Sequence, residues 1–417
     1  MMHMIKMKGQ DKMKTGYLVV YVYADNIAQP VKGAEVKITG NNVEMQLITD
    51  ATGKTKSVAL PAPDESYSLN PQSEVKPYAG YTLEVSKPGL NSVITQNVKI
   101  FDGETALQNV YLTSGGEVNY INLPEHVLWD NYPPKIIESD SKPEREDENR
   151  VQPFVFIPEY VIVHHGVPTN ASATNFFVPF PDYIKNVASN EIYSTWPTET
   201  IKANVLAIIS FTLNRVFTEW YTSKGYSFTI TSSTAYDQAF VPNSTIYKSI
   251  SDVVDQMFNQ FLRLPNVKQP FFAQYNDGIK VNNKGWLNQW GSKSLGEQGY
   301  DAMRIIRYYY GSNMGVYTAD QIAGLPTSFP GRTLLLGTCS QSVKKIQDEI
   351  NTIAGNYPGI PKIIPADGQF KESTATSVKT FQKVFDLPQN GNIDFATWYK
   401  ISYIYVAVTK MLAGIYS

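Results

Sequence analysis

Residues 138–150 read E-S-D-S-K-P-E-R-E-D-E-N-R, a run without one large apolar side chain. Such a run cannot bury enough surface to offset the entropy of ordering it, so it reads as exposed linker and divides the chain into parts with separate cores. Gly115-Gly116 and Pro133-Pro134 extend the same character upstream, and the linker is taken as residues 114–150. An extended, unpacked backbone is what a protease binds, so this stretch is also the expected processing site. A length of 417 residues independently calls for more than one core.

Before the linker the pattern is β. Tyr17–Tyr23 is a dense strand, Pro30–Ile38 a turn followed by alternation, and Thr49-Asp-Ala-Thr-Gly53 a hairpin turn. Gly80–Ser86 and Asn97–Phe101 read as further strands. Short strands at this spacing predict an antiparallel β-sandwich over residues 1–113. No cluster of catalytic residue types lies in it, so an accessory role is expected.

After the linker the pattern changes, and Tyr183–Leu213 reads as two helices broken at Pro197, since proline is excluded from a helix interior. In the first helix Ile184, Val187 and Ala188 form an apolar stripe, and Glu191 falls four residues after Val187 on that stripe. Burying an ionised carboxylate is costly unless it is paired, which makes Glu191 either an edge residue reaching solvent or a candidate general acid. Residues 151–335 form the expected central α+β domain. In it Ile246, Ile250, Val253, Val254, Met257, Phe258 and Phe261 make a helical core stripe. Ser292–Tyr310 reads as one helix, weakened by Gly296 and Gly299, which suggest close packing or a break. His164-His165 point in different directions with no third ligand type nearby, so no metal site is expected.

Composition narrows the function classes. A net charge of −2 gives no electrostatic case for nucleic acid or an anionic membrane. Tyrosine is heavily used, with 27 residues against 6 Trp, and weakly charged aromatic surfaces suit neutral sugars. Cys339, the single cysteine, excludes an intrachain disulfide. The N-terminal M-M-H-M-I-K-M-K lacks the apolar stretch of a signal peptide, its repeated methionines leave the start open, and no segment approaches a membrane span.

The C-terminal part, residues 338–417, is a helical module with two similar turns, Asp367-Gly-Gln-Phe370 and Asn390-Gly-Asn-Ile393, followed by Thr374 and Thr397. Asp-Gly-x-Phe-x-x-x-Thr, then Val-x-x-Phe-Gln, then Gly-x-Ile-x-x-x-Thr-Trp resembles the three-helix peptidoglycan-binding domain of bacterial wall hydrolases. That resemblance implies module residues Asp367, Gly368, Phe381, Gln382 and Trp398.

The run Val31–Ile38, with Thr49–Thr55 and Gly80–Leu90, resembles the carboxypeptidase-regulatory-like sandwich. The central domain resembles the SpoIID/LytB domain of lytic transglycosylases. Glu191-Ile-Tyr-Ser-Thr-Trp-Pro-Thr-Glu-Thr-Ile-Lys-Ala-Asn-Val-Leu-Ala-Ile208 follows its Glu-Met-x-x-x-Trp-x-x-Glu-Ala-Leu-Lys-Ala pattern, and Asn288-Gln-Trp-Gly-Ser292 its Ser-Gln-Tyr-Gly-Ala. This puts Glu191 at the family's catalytic glutamate and implies Tyr236, Gln238, Asn288, Gln289 and Trp290 as substrate-groove residues. Two positions depart from the pattern: the family's histidine before the Ser-Gln pair is Asn283 here, and its Arg-Thr-Tyr is Ile209-Ser-Phe211.

The order of parts is similar to the SleC-type spore-cortex-lytic enzymes of clostridia. The resemblance implies a zymogen held in the spore, a front part removed by a subtilisin-like Csp protease at germination, cortex peptidoglycan as substrate and no cofactor. Lytic transglycosylation needs one carboxyl group where hydrolysis needs two, which suits a lone glutamate. The alternatives are a non-catalytic peptidoglycan-binding spore protein and a hydrolysing muramidase or glucosaminidase.

Overall fold

The computed structural model of the chain describes residues 13–129, 132–136, 154–319 and 321–412. The run 138–150, on which the processing site is expected, lies outside the described residues, as does the methionine-rich start. The chain is a multidomain mixed α+β protein, described here in chain order.

The front part contains β1 (Lys14–Ala24), β2 (Glu35–Gly40), β3 (Val43–Ile48), β4 (Val58–Ala62), the single turn α1 (Ser66–Leu69), β5 (Ala79–Ser86), β6 (Ser92–Ile100), β7 (Thr105–Leu112) and β8 (Val118–Asn122). One sheet has the order β3-β2-β5-β6-β8; the other contains β7-β1-β4. The predicted antiparallel sandwich is corrected to a mixed one, because β1 pairs with β7 and β6 with β8 in parallel. The tight hairpin is not at Thr49–Gly53, which carries the chain between sheets, but at Asn41-Asn42 between β2 and β3. Both asparagines have positive φ, 48° and 61°, as a two-residue hairpin loop requires. β1 is apolar on both faces: Leu18, Val20 and Val22 enter the main core, while Val19, Tyr21 and Tyr23 form a second cluster on the outer face.

The exposed linker expected from residue 114 is also corrected. β8 is the edge strand of the sheet, and Leu123, His126 and Leu128 beyond it are buried against the rest of the molecule. His126 Nε2 donates to Ile192 O (3.3 Å), Leu128 N–H donates to its Nδ1 (3.2 Å), and its ring lies 4.5 Å from that of Tyr193. These aromatic and backbone contacts outweigh the linker-like Gly-Gly and Pro-Pro flanks.

The central part begins with β9 (Phe156–Ile157), β10 (Tyr160–His164) and β11 (Asn175–Pro179), followed by α2 (Phe180–Glu191) and α3 (Thr198–Phe217). Pro197 caps α3 from outside, which separates the two helices where the sequence predicts it. α3 is buried nearly all round, from Thr200 to Arg215, as its lack of a polar face dictates. β12 (Ile230–Thr231) is short and pairs in parallel with β10. Next come β13 (Ile246–Tyr247), α4 (Lys248–Met257), β14 (Gln260–Arg263), β15 (Tyr275–Asn276), β16 (Leu287–Asn288), α5 (Gln289–Glu297), α6 (Ala302–Tyr310), β17 (Gly315–Thr318) and β18 (Gln321–Ile322). The helix expected over 292–310 is therefore two. Gly299, with φ of +80°, turns the chain between them, and a Cβ at Gly296 would collide with Thr200 Oγ1 on α3.

The C-terminal helices are α7 (Gln341–Ile353), α8 (Glu372–Val384) and α9 (Phe395–Leu412). The three parts do not stand apart. β13 adds antiparallel to β7 as the edge of the front sheet. Gln108 Nε2 donates to Asn243 O (2.9 Å), and Trp196 Nε1 to Ser68 O (3.0 Å). From the C-terminal side Asn356 Nδ2 donates to Ala28 O (2.8 Å), and Tyr357 hydrogen-bonds Ile27 O. One apolar cluster runs through all three parts.

Two titratable groups at these junctions carry opposite pH dependence. Burial holds the imidazole of His126 down to about 3, so its stabilisation is complete above the unfolded value of 6.5 and is lost as pH falls through the native one. Burial pushes Glu104, which accepts from Ser249 Oγ (2.7 Å), up to about 7, so its contribution is complete below 4.5 and is lost as pH rises through 7. Between pH 5 and 7 the stability of the wild-type chain relative to His126→Gln should rise by about 2 kcal/mol. Relative to Glu104→Gln it should fall. Denaturant melts of the three proteins at several pH values check both signs.

Candidate active site

The carboxyl group of Glu191 is wholly buried at the last residue of α2. Negative charge is disfavoured at that end of a helix by the peptide dipoles. Donors from three separate segments compensate. Ala239 N–H donates to Oε1 (2.8 Å), Tyr275 hydroxyl to Oε1 (3.3 Å) and Gln289 Nε2 to Oε2 (3.1 Å). Tyr275 reaches it because β15 pairs in parallel with β16, which also sets Asn288 and Gln289 at the start of α5.

The other expected groove residues divide. Gln289 is completely buried, with Nε2 on Glu191 and Oε1 buried without a partner. Gln238 is also completely buried, with both ends of its amide engaged. Oε1 accepts from Tyr183 hydroxyl (2.9 Å) and Thr212 Oγ1 (2.8 Å), and Nε2 donates to Ile208 O (3.2 Å). It braces the loop that brings Ala239 to Glu191, and its complete burial leaves no surface for a sugar to reach. Asn288 caps α5, accepting from Gly291 N–H (2.7 Å). Trp290 packs on Trp196 with ring centroids 5.0 Å apart. Tyr236 lines a small recess with Tyr275 and Trp286. Asn283, at the position of the family's histidine, accepts from Asn276 Nδ2 (3.4 Å).

Neither nearby aspartate is available as a second catalytic carboxylate. Asp237 is locked by Arg215 Nε (2.8 Å), Tyr221 hydroxyl (2.7 Å) and Thr231 Oγ1 (2.7 Å), all buried. Asp277 accepts from the backbone N–H groups of Lys280 (2.9 Å) and Val281 (2.8 Å) and holds that loop. Among the described residues no group of three His, Cys, Asp or Glu side chains could hold a metal ion.

Sequence reasoning missed Tyr275 and the segment beside the site. Tyr132–Ile136, upstream of the central part, lies against Tyr275 and the loop at Ala235–Asp237, beside Glu191. Tyr132 is buried with its hydroxyl unpartnered, and burial together with the negative charge of Glu191 and Asp277 holds that hydroxyl well above its usual range. Lys135 Nζ donates to Asp237 O (3.2 Å) and lies 5.4 Å from the ring centroids of both Tyr132 and Tyr275. Burial lowers its ammonium pKa, against the opposing pull of Glu191, Asp237 and Asp277. Ile136 N–H closes the contact on Ala235 O (2.8 Å). Nothing in Tyr-Pro-Pro-Lys-Ile marks it as a neighbour of the site; only the tertiary path brings it there.

In the C-terminal part the five expected residues are structural. Phe381 and Trp398 are core, Asp367 makes a turn with Gln369 N–H (3.0 Å), and Gly368 needs its φ of +78°. Gln382 sits inside its turn, accepting from Gly391 N–H (2.8 Å) and donating to Asn392 O (2.8 Å) and Thr397 Oγ1 (3.2 Å). Gln347, not singled out by the sequence, repeats this: it accepts from Gly368 N–H (2.8 Å) and donates to Gln369 O (2.9 Å) and Thr374 Oγ1 (3.0 Å). The paired turns are therefore two copies of one glutamine-filled device. Replacing either Gln347 or Gln382 with methionine should cost ~1–3 kcal/mol, because buried backbone groups lose their partner. Denaturant melts should give similar losses for the two.

Residues 339–401 match the family model of the peptidoglycan binding domain. The chain thus carries a peptidoglycan-binding domain, as a cell-wall-associated protein does. A comparison with curated proteins gives no match. Among solved structures, the Bacillus anthracis TIE protein is 15% identical with a TM-score of 0.19, over 24% of this chain and 17% of its own. Acinetobacter radioresistens catechol 1,2-dioxygenase is 16% identical with a TM-score of 0.18, over 25% of this chain and 54% of its own. At these scores neither likeness bears on function.

Proposed function

We propose that this chain is the precursor of a peptidoglycan lytic transglycosylase whose acid and base are both Glu191. The observation that carries the reading is a single buried carboxyl group, held by three donors, on a chain that also carries a peptidoglycan-binding domain. In its acid form Glu191 protonates O4 of the leaving N-acetylglucosamine as the C1–O4 bond breaks. The carboxylate so formed takes the proton of the muramic acid 6-hydroxyl as that oxygen attacks C1. The product is a 1,6-anhydromuramoyl end and no water is consumed. The intramolecular attack replaces an activated water, so a second carboxylate is unnecessary, in keeping with the engagement of Asp237 and Asp277 elsewhere. The spore cortex, action during germination and activation by a subtilisin-like protease belong to the same reading.

The zymogen part of the reading takes Tyr132–Ile136, packed on Tyr275 and the Asp237 loop beside the buried Glu191, as the stopper of the site. A cut within 138–150 frees the C-terminal end of this stopper. The front sandwich remains tied through β13 and its hydrogen bonds to the other two parts. Activation therefore needs the stopper to lift before the sandwich departs.

Glu191→Gln in the cleaved protein should lose at least ~10³-fold in wall lysis, the scale of removing a general acid and base. Undiminished lysis by a folded Glu191→Gln protein removes the assignment. Mass spectrometry of the released muropeptides should find ends one water lighter than reducing ends; reducing ends point to a hydrolase. In the uncleaved chain, Tyr132→Gly with Lys135→Ala should raise lysis towards that of the cleaved form, and no change would sink the stopper.

A further inference from the structure

A cleft of about 480 Å³ lies on the far side of α2 from Glu191, where the sandwich, the central part and α9 meet. Its volume is that of a small-ligand site, and domain junctions are where such sites concentrate. Its walls are aromatic. Period-two alternation sets Tyr21 and Tyr23 on the outer face of β1, Tyr111 of β7 packs beside Tyr23 (5.7 Å), and Tyr403 of α9 faces them across the cleft. Tyr111 is 36% exposed and Phe177, on β11, 67%. Tyr21 hydroxyl is buried without a partner.

Of the carboxylates lining the cleft, all but the exposed Asp25 are already engaged. Asp255 pairs with Lys185 (2.7 Å), Asp252 with Lys248 (2.7 Å), Asp386 with Lys54 and Glu159 with Lys410, while Asp182 accepts from Tyr403 hydroxyl (3.0 Å). Lys400 differs. Among the described residues no carboxylate lies within 4.0 Å of its ammonium, which lies 5.8 Å from the Tyr403 ring. The carboxylates whose charge reaches it, Asp255, Asp182 and Asp386, are each held by another group, so a ligand carboxylate in direct contact would add compensation that they do not give.

We propose that this cleft is a second saccharide site, taking a glycan segment that bears a carboxylate, with pyranose rings on the tyrosine faces and the carboxylate on Lys400. The match of residues 339–401 ends at Tyr403's side of the cleft, so the site is made by the assembled chain and by no single part. It is independent of the role of Glu191, since binding is read without turnover.

The test is calorimetric titration of the full chain with the N-acetylglucosaminyl–N-acetylmuramic acid disaccharide and with neutral di-N-acetylchitobiose. The acidic disaccharide should bind about tenfold more tightly than the neutral one, the scale of one charge-assisted hydrogen bond. Lys400→Met should abolish that preference while leaving the melting temperature unchanged or raised, and Tyr111→Ala should weaken both sugars about tenfold. No binding at millimolar concentration, no preference for the acidic sugar, or binding that survives both substitutions overturns the proposal.

Discussion

A carboxyl group buried at a helix C-terminus is the constraint on which the centre of this molecule depends. Left alone, Glu191 would cost several kcal/mol, since the dipole of α2 opposes its charge and no water reaches it. The cost is offset only if Ala239, Tyr275 and Gln289 arrive together. Each arrives by a different device. Gln238, braced between Tyr183 and Thr212, fixes the loop at Ala239; the parallel pairing of β15 and β16 fixes Tyr275; and the Asn288 cap fixes the start of α5 at Gln289. Much of the central part is thus the scaffold of one acid, and several residues that read as sugar ligands are its supports.

The second constraint is that the three parts share surfaces. β13 completes the front sheet, Trp196, five residues beyond Glu191, bonds to α1, and Asn356 and Tyr357 hold the loop after β1. A strand such as β1, apolar on both faces, needs a cover on each. Its inner face has the opposing sheet, and its outer face has the neighbouring parts, with the tyrosine-lined cleft left where the cover is incomplete. The same sharing brings the segment after β8 to Ile192, with His126 as its buried anchor, and sets Lys135 on Asp237 and Tyr275.

Local patterns made several features legible. Alternation placed β1, β2, β5 and part of β6, the proline placed the break between α2 and α3, and the repeated Gly turns placed the C-terminal module that the family match covers at 339–401. Glu191 stood out as a carboxylate on an apolar stripe. What stayed hidden was non-local. Parallel pairings, the strand shared between parts and the second turn-filling glutamine leave no short-range period to read.

The sequence by itself determined the break between α2 and α3, the C-terminal helical module, that the chain is multidomain, and that Glu191 is a carboxylate on an apolar stripe, because each of these follows from spacing and side-chain type within a few residues. Only the tertiary structure decided which groups hold that acid, that Gln238 is a brace and not a ligand, and that Tyr132–Ile136 lies beside the site. Those outcomes depend on partners 26 to 102 residues apart in sequence and on satisfying every buried polar group at once, a condition that exists only when the whole core closes.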